Sequence, residues 1–536
     1  MCSIVAQSQD IKATEVRVTE EFKPSIPEAN KLNESASFED TIKVDKSQDY
    51  SVDQYNLRTN YKTRPLKAAK VKAVSLTKLY NSNVSVGFGD NWNSRFSVLH
   101  NSNRSKDVSY GVLMQHSSYQ YRPKNHHVKN SNNTLNVFGK RLTSSHIFVG
   151  NLDYDRTATL YFNTSSPFEE KYFRNRFAYS KLSFSAISKS NEGDRLIKKV
   201  DFFLSDLNEM SENQIHLSAD VQNKIAGYPI EIEIELNKYL NYNNKDSEYE
   251  NEEMNELHFV PQTNFDKFGI NFLTGLNLHY DSDGIAISPI INATKELVKN
   301  ILLIHGGIRH SERRNTLKSF TDQNPYIHSY GTNQAILSRD TLLQSFTTTS
   351  KDELYLSIRN VLGKDEVLEG SLAYAKVKNF ANFSEIYDGN YNRFLTVYAD
   401  VNQLHIGANY ERKLNKMLSV YAKVNYFNWD KEVYYKSKLT IDVKTSINLR
   451  DKIKAIPSIN YIGSRMTYYN NLLVSELVVP AELPAQFHAN FMLEYKYTKI
   501  LSAYLQLNNL TNSKEVLFRG YQEIGFNGVF GINYSF

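Results

Sequence analysis

Phe526-Asn527-Gly528-Val529-Phe530-Gly531-Ile532-Asn533-Tyr534-Ser535-Phe536 ends the chain, and its alternation decides the fold. Phe526, Phe530, Ile532, Tyr534 and Phe536 share one face of an extended segment; Asn527, Gly531, Asn533 and Ser535 share the other. The same period of two runs back through the sequence. Across 268–281, Phe268, Ile270, Phe272, Leu276, Leu278 and Tyr280 oppose Gly269, Asn271, Gly275, Asn277, His279 and Asp281, with Thr274 the one interruption and Asp283-Gly284 the turn. Leu439, Ile441, Val443, Ile447 and Leu449 repeat the pattern, as do Phe487, Ala489, Phe491, Leu493, Tyr495 and Tyr497. Leu404, Ile406, Ala408 and Tyr410 give another strand, which turns near Leu414-Asn415 into Leu418, Val420, Ala422, Val424 and Tyr426.

These strands run to about ten residues or more, where globular strands average ~5–6. Their second face carries Lys, Asp, Asn and His in mid-strand, and their apolar faces end in Tyr or Phe. Length, aromatic ends and an alternation of tight turns with long polar loops together match a barrel that crosses lipid. Lipid offers no hydrogen-bond partner, so every backbone group must be paired and no sheet edge left open; closure meets that demand. The expectation is an all-β fold: a large closed antiparallel transmembrane β-barrel over 81–536 with about 20 strands, 18–22, even in number. A soluble secreted β-protein is the competing reading.

Composition agrees. The 536 residues are 41% hydrophobic and 12% aromatic, with 63 Lys+Arg against 58 Asp+Glu, a formal +5 that gives no reason to expect nucleic acid. No stretch approaches the ~20 apolar residues of a membrane-spanning helix. One cysteine, Cys2, excludes a disulfide framework and a Cys-cluster metal site. Residues 1–9 read as a residual signal-peptide-like segment or as an ordinary terminus. Residues 10–80 are polar, charged and aperiodic, and are expected to form a largely unstructured periplasmic tail with a basic cluster at Lys62–Lys72.

Candidate chemistry is sparse. Asp246, Glu248, Glu250, Glu252, Glu253 and Glu256 crowd one acidic stretch; Glu250, Glu252 and Glu253 are a possible loop cation contact, and a solvated loop is the bland alternative. His116, His126 and His127 are read as surface residues, because adjacent histidines on a strand point apart. Arg309, Arg313, Arg314 and Lys318 border a long polar loop and suggest an anion path, lipopolysaccharide contacts or ordinary solvation. No Ser-His-Asp constellation, Gly-rich phosphate loop or His-Glu-x-x-His motif stands out. No catalytic residue, cofactor site or metal site is expected, and the chain is not expected to be an enzyme.

Phe530, Ile532, Tyr534 and Phe536 have the form of the terminal aromatic strand that barrel-insertion machinery reads as an assembly signal. Asn508-Asn509-Leu510-Thr511-Asn512-Ser513-Lys514, Gly520-Tyr521, Ile524-Gly525-Phe526-Asn527 and Gly531-Ile532-Asn533-Tyr534-Ser535-Phe536 together resemble the last two strands of TonB-dependent outer-membrane receptors. Gln522 stands where that family usually has Pro, and Phe526 where it has Arg. The match covers about thirty residues, against about 450 of barrel patterning. Such receptors carry a folded plug, which the polar residues 1–80 are not expected to build; Glu15-Val16-Arg17-Val18-Thr19 resembles their energy-coupling box only faintly. The resemblance implies a plugless receptor-like barrel in the Gram-negative outer membrane, in contact with lipid, lipopolysaccharide and, during insertion, the assembly machinery. Its role is read as that of a non-enzymatic accessory or structural subunit of an envelope complex, its tail reaching a periplasmic or outer-membrane partner. The alternative is a porin-like transport barrel whose lumen is occluded by the tail or by loops such as residues 310–350.

Overall fold

The computed structural model describes residues 80–536 apart from 104, 167–168, 190–196, 226, 242–252, 283, 329–346, 388–391, 468, 472–480 and 515. The expectations for residues 1–79, and those for Glu250 and Glu252, fall outside the described residues.

Twenty-two antiparallel strands form one closed sheet, at the upper end of the expected range. It begins with Ser82–Gly89 and closes where that strand pairs with the last, Asn527–Ser535, through Val84↔Tyr534, Val86↔Ile532 and Phe88↔Phe530. Closure leaves no edge, as lipid requires.

Register turns the alternating sequence into two surfaces. Ile291 stands beside Ile308, Ile308 beside Leu354, Leu354 beside Tyr374 and Tyr374 beside Leu404. This apolar row faces outward, with Leu354 60% and Tyr374 54% exposed. Ile285, Ile287, Leu276, Leu217, Phe530 and Ile532 extend the same face around the wall. Water-soluble monomers rarely expose a contiguous apolar patch beyond a few hundred Å². A belt around a whole barrel belongs in hydrocarbon, and the soluble reading is set aside on that ground. No helix among the described residues is long and apolar enough to cross a membrane.

One end of the barrel carries short connections, such as 226–227, 268–269, 364–365 and 450–452; the other carries the long ones, 316–346, 463–485 and 509–526. Phe268 belongs to a connection, not to the strand that the alternation assigned it to. Its strand starts at Ile270, and Phe268 (φ 56°) and Gly269 (φ 69°) form the turn. Two consecutive positive φ values match the right-handed twist of the flanking strands, and that local demand overrides the phase of the pattern.

The closing seam has its own packing. Gly87 pairs with Gly531, both on the inner face, and the ring of Tyr504 lies directly over the two. A Cβ at either glycine would collide with that ring. Gly531→Val is therefore expected to destabilise the seam by roughly 1–3 kcal/mol, read as a lower temperature for the loss of the fast-migrating folded band in heat-modifiability gels.

Candidate functional site: the capped mouth of the barrel

The largest apolar core does not lie between layers of the wall. Phe177, Leu207, Met210, Leu317, Phe320, Tyr326, Ile327, Phe383, Phe394, Tyr435, Leu483, Phe518 and Tyr521 form it, and they come from strand ends and loops at the long-loop end. Three segments build it.

The first is residues 316–328. Thr316 caps a short helix, Leu317–Gln323, by accepting from Ser319 N at 3.1 Å, and Leu317 N and Lys318 N donate to the Glu212 carboxylate at 2.6 and 3.1 Å. The apolar side of the helix is buried at Leu317 and Phe320. Asn324 ends it and turns the chain by accepting from Tyr326 N at 2.9 Å.

The second is the upper part of the hairpin Glu366–Tyr387 and Asn392–Lys413. Its register shifts between Val377 and Phe380, where Asn379 has φ 52°. A bulge of this kind bends a strand. Beyond it, Asn382, Phe383, Ser384 and Glu385 are all buried. Four consecutive buried residues mean that both faces of the strand are covered, so the hairpin has left the wall and entered the mouth.

The third is residues 509–526. Tyr521 stacks on Tyr326 with ring centroids 3.8 Å apart and accepts from Arg393 Nη1 at 2.7 Å. Tyr435 donates to Glu385, and Arg519 lies 3.7 Å from the same carboxylate. Arg465 donates to the carbonyls of Val516 and Leu517 at 2.9 and 3.0 Å.

Ile327 shows what these segments achieve. Its carbonyl accepts from Asn175 Nδ2 at 2.8 Å, on the sixth strand of the barrel. Its backbone also bridges Phe394, on the sixteenth, and His328 N donates to Phe394 O at 2.9 Å. The two attachments belong to strands ten places apart in a barrel of 22, so residues 324–328 run from the wall at Asn175 to the inward-folded tip of a hairpin rooted on the opposite side. Asn175 is 1% exposed and also donates to Pro325 O at 2.9 Å. Replacing it with Ala strips a donor from two buried carbonyls. A loss of about 1–3 kcal/mol of cap stability is expected, measured as faster hydrogen exchange at the amides of 326–328 while the wall strands stay protected.

Electrostatics at the mouth follows burial. The Lys436 ammonium, in the loop after Trp429, is pushed below the ordinary lysine range by burial and then by Arg313. The Tyr521 hydroxyl is pushed up by burial. Burial, reinforced by Arg393, holds the His328 imidazole down at about 4.

The residues singled out from the sequence are dispersed. Phe530, Ile532, Tyr534 and Phe536 face outward and are 57, 48, 45 and 58% exposed, the orientation their phase requires. Glu253 opens the strand Glu253–Lys267, and its position is described for the backbone alone. Glu256, expected in the acidic loop, sits inside that strand instead and is buried, because period-two phase turns it to the inner face. His116 hydrogen-bonds Asn133, His126 contacts the Lys124 carbonyl and His127 lies 3.6 Å from Glu170; the two adjacent rings point apart. Arg309 is held by Glu353 and stacks 4.5 Å above the Tyr355 ring. Arg314 is buried and donates to Thr348 at 2.9 Å, and Lys318 pairs with Asp322. Arg309 and Arg313 stand exposed, Lys318 is half-buried and Arg314 is buried.

Sequence reasoning missed a group on the inner wall. Glu256, His258 and His279 present ligand atoms within 4.8 Å of one another. Asp281, His310 and Glu312 border them. The expectation of no metal site took no account of this group. Register alone assembles it, since His258 stands directly across from His279 on the neighbouring strand.

No protein-family model matches the chain, and no curated protein does. Solved structures do. A mutant of the ferric enterobactin receptor PfeA from Pseudomonas aeruginosa superposes with a TM-score of 0.61 at 13% identity, covering 85% of this chain and 80% of that one. The ferric-catecholate import receptor Fiu of E. coli K12 gives 0.60 at 10% identity, covering 85% and 82%. The siderophore receptor PirA from Acinetobacter baumannii gives 0.60 at 10%, covering 86% and 81%. At such identities the likeness is one of fold, and the described residues have the barrel fold of outer-membrane siderophore receptors.

Proposed function

We propose that this protein is a transport barrel of the Gram-negative outer membrane, held shut at its outer mouth by its own loops. The observation that carries this reading is the attachment of Ile327 to the wall through Asn175 and to the inward-folded hairpin of the opposite side through Phe394. A wide polar-lined barrel left open would dissipate the permeability barrier, and a cap secured by a few buried contacts is a device that opens. The fold likeness supports the same reading, since Fiu is a ferric-catecholate import receptor and the other two neighbours named above are receptors for ferric enterobactin and for a siderophore. The acidic and long loops then face outward, where they meet lipopolysaccharide. The terminal strand serves insertion by the assembly machinery, and residues 1–80 reach into the periplasm toward a protein partner. The reading includes no enzymatic activity and no nucleic acid.

A second reading keeps the barrel and drops the transport: an accessory or structural subunit of an envelope complex. The same cap favours it, because a closed mouth also suits a scaffold. Conductance in a planar bilayer separates the two. Under the transport reading the full-length protein is silent or flickers, and replacing residues 318–344 with a short Gly-Ser linker produces steady channels. Deleting residues 1–80 in the same background shows whether the tail adds a second closure. Silence in every form, with insertion confirmed by heat-modifiable migration, overturns transport and leaves the accessory role.

A further inference from the structure

The hairpin that carries His310 and Glu312 is out of place in a regular wall. Strand Leu302–Asn315 pairs with Gly284–Val298 only as far as Ile308↔Ile291; above that point it pairs with Thr347–Gly363 alone. His310 and Glu312 continue the phase of Ile304 and Ile308, which face lipid. Their side chains are nevertheless 7% and 5% exposed; they pair with each other, and Glu312 meets the inner wall. Glu312 Oε2 lies 2.9 Å from His279 Nδ1, and Thr348 donates to Asp281 Oδ2 at 3.2 Å. The hairpin has thus swung inward and laid its outer face on the inner face of its neighbours.

What it lands on is built for a cation. His279 Nδ1 lies 3.1 and 3.2 Å from the two ring nitrogens of His258. Two imidazole nitrogens on one tetrahedral ion, each at ~2.0–2.1 Å, stand about 3.3 Å apart. Glu256 Oε2 is 3.9 Å from His258 Nε2, and Glu312 approaches the same Nδ1 of His279. The other nitrogen of His279, Nε2, lies 3.1 Å from Asp281 Oδ2, an arrangement in which a carboxylate orients a ligating histidine. Glu256 is itself positioned by Asn237 Nδ2 and the Tyr239 hydroxyl, each 3.3 Å away.

The charge count points the same way. Glu256, Asp281 and Glu312 bring three carboxylates into a space where each is nearly buried, and Arg314 donates to Thr348 beside them. Buried carboxylates at this density require compensating positive charge. Glu312 Oε2 makes no well-aligned hydrogen bond, so this oxygen keeps its lone pairs for an ion.

We propose that Glu256, His258, His279 and Glu312 form a binding site for a borderline divalent transition-metal ion such as Zn²⁺, which staples the inward-folded hairpin to the barrel wall. Two imidazoles and two carboxylates suit Zn²⁺ and its first-row neighbours rather than Ca²⁺ or Mg²⁺, which prefer oxygen alone. The ion acts as a clasp: three ligands come from the wall and the fourth from the hairpin that leads into residues 316–328. The proposal stands independently of transport, because it concerns how the mouth is held and not what passes.

The test uses the full-length protein in detergent, stripped with chelator and titrated with Zn²⁺ against a chromophoric competitor. The expected result is one ion per chain, weakened on the order of 100-fold by the double variant His258→Ala with His279→Ala and about tenfold by Asp281→Asn. Zn²⁺ should also slow hydrogen exchange across 309–315 in the wild type and not in Glu312→Gln. That readout separates a clasp from a site confined to the wall. Should the double variant fail to give a heat-modifiable band, Cu²⁺ bound to the wild type decides: its paramagnetic resonance spectrum must show two equivalent-type imidazole nitrogens. Absence of stoichiometric binding to the wild type, or equal binding by the folded double variant, overturns the proposal.

Discussion

Phe394→Ala is expected to open the mouth and leave the barrel standing. Phe394 is 0% exposed, packs against Tyr435, Phe518 and Tyr521 at ring distances of 5.5, 5.2 and 5.9 Å, and carries the backbone bridge to Ile327. Truncating such a ring removes its burial and leaves a cavity; the usual cost is about 3–5 kcal/mol. The loss falls on the cap because Phe394 joins three cap segments and sits beyond the bulge, away from the lipid-facing belt. A cap is a local unit whose opening free energy is smaller than that of the wall, so a loss of this size exposes it a large fraction of the time. The variant should retain its heat-modifiable band, lose exchange protection at 326–328, and show frequent open events in a bilayer where the wild type shows few. A variant with unchanged conductance and unchanged protection would mean that the mouth is held by contacts elsewhere.

The wall was legible in the sequence and the cap was not, for one physical reason. Period two is a local property, and lipid on one side with water on the other writes it strongly. Ile441, Val443 and Ile447, or Phe530, Ile532 and Tyr534, announce their face without reference to any partner. Even there, backbone geometry could intervene, as Phe268 shows by taking a positive φ in a turn. The cap depends on meetings between residues far apart in the chain. Asn175 and Ile327, or Arg393 and Tyr521, carry no spacing that foretells their contact. The expectation that residues 310–350 fold inward came from length alone; it identified the segment for residues 316–328 and none of its contacts. The histidine–carboxylate group lies between these cases. Glu256-x-His258 and His279-x-Asp281 each put two ligating side chains on one strand face, a signal present in the sequence, but strand register was needed to set the two pairs side by side.

Acidification is expected to loosen the same cap through His328. The side chain is 2% exposed, and burial together with the Arg393 guanidinium holds its imidazole at about 4, against 6.5 when free. A histidine depressed on folding binds its proton more readily once the cap is open. Between those two values the open state carries the extra proton, so stability rises with pH. The contribution is complete above about 6.5 and is lost as pH falls toward 4. Going from pH 7 to pH 5 should cost the cap roughly 2 kcal/mol. Exchange at the amides of Ile327 and His328, corrected for its intrinsic pH dependence, should therefore accelerate at pH 5. His328→Gln keeps a neutral polar group there and should abolish that acceleration. The control matters because the buried carboxylates Glu212 and Glu385 also border the cap, and any pH response they cause would survive it. A response unchanged in His328→Gln would assign the switch to those carboxylates; a cap equally protected at pH 7 and pH 5 in the wild type would show that His328 stays buried in the open state. The chemistry agrees with the position: His328 donates its backbone N–H to Phe394, so the proton would arrive at the joint whose loss opens the mouth.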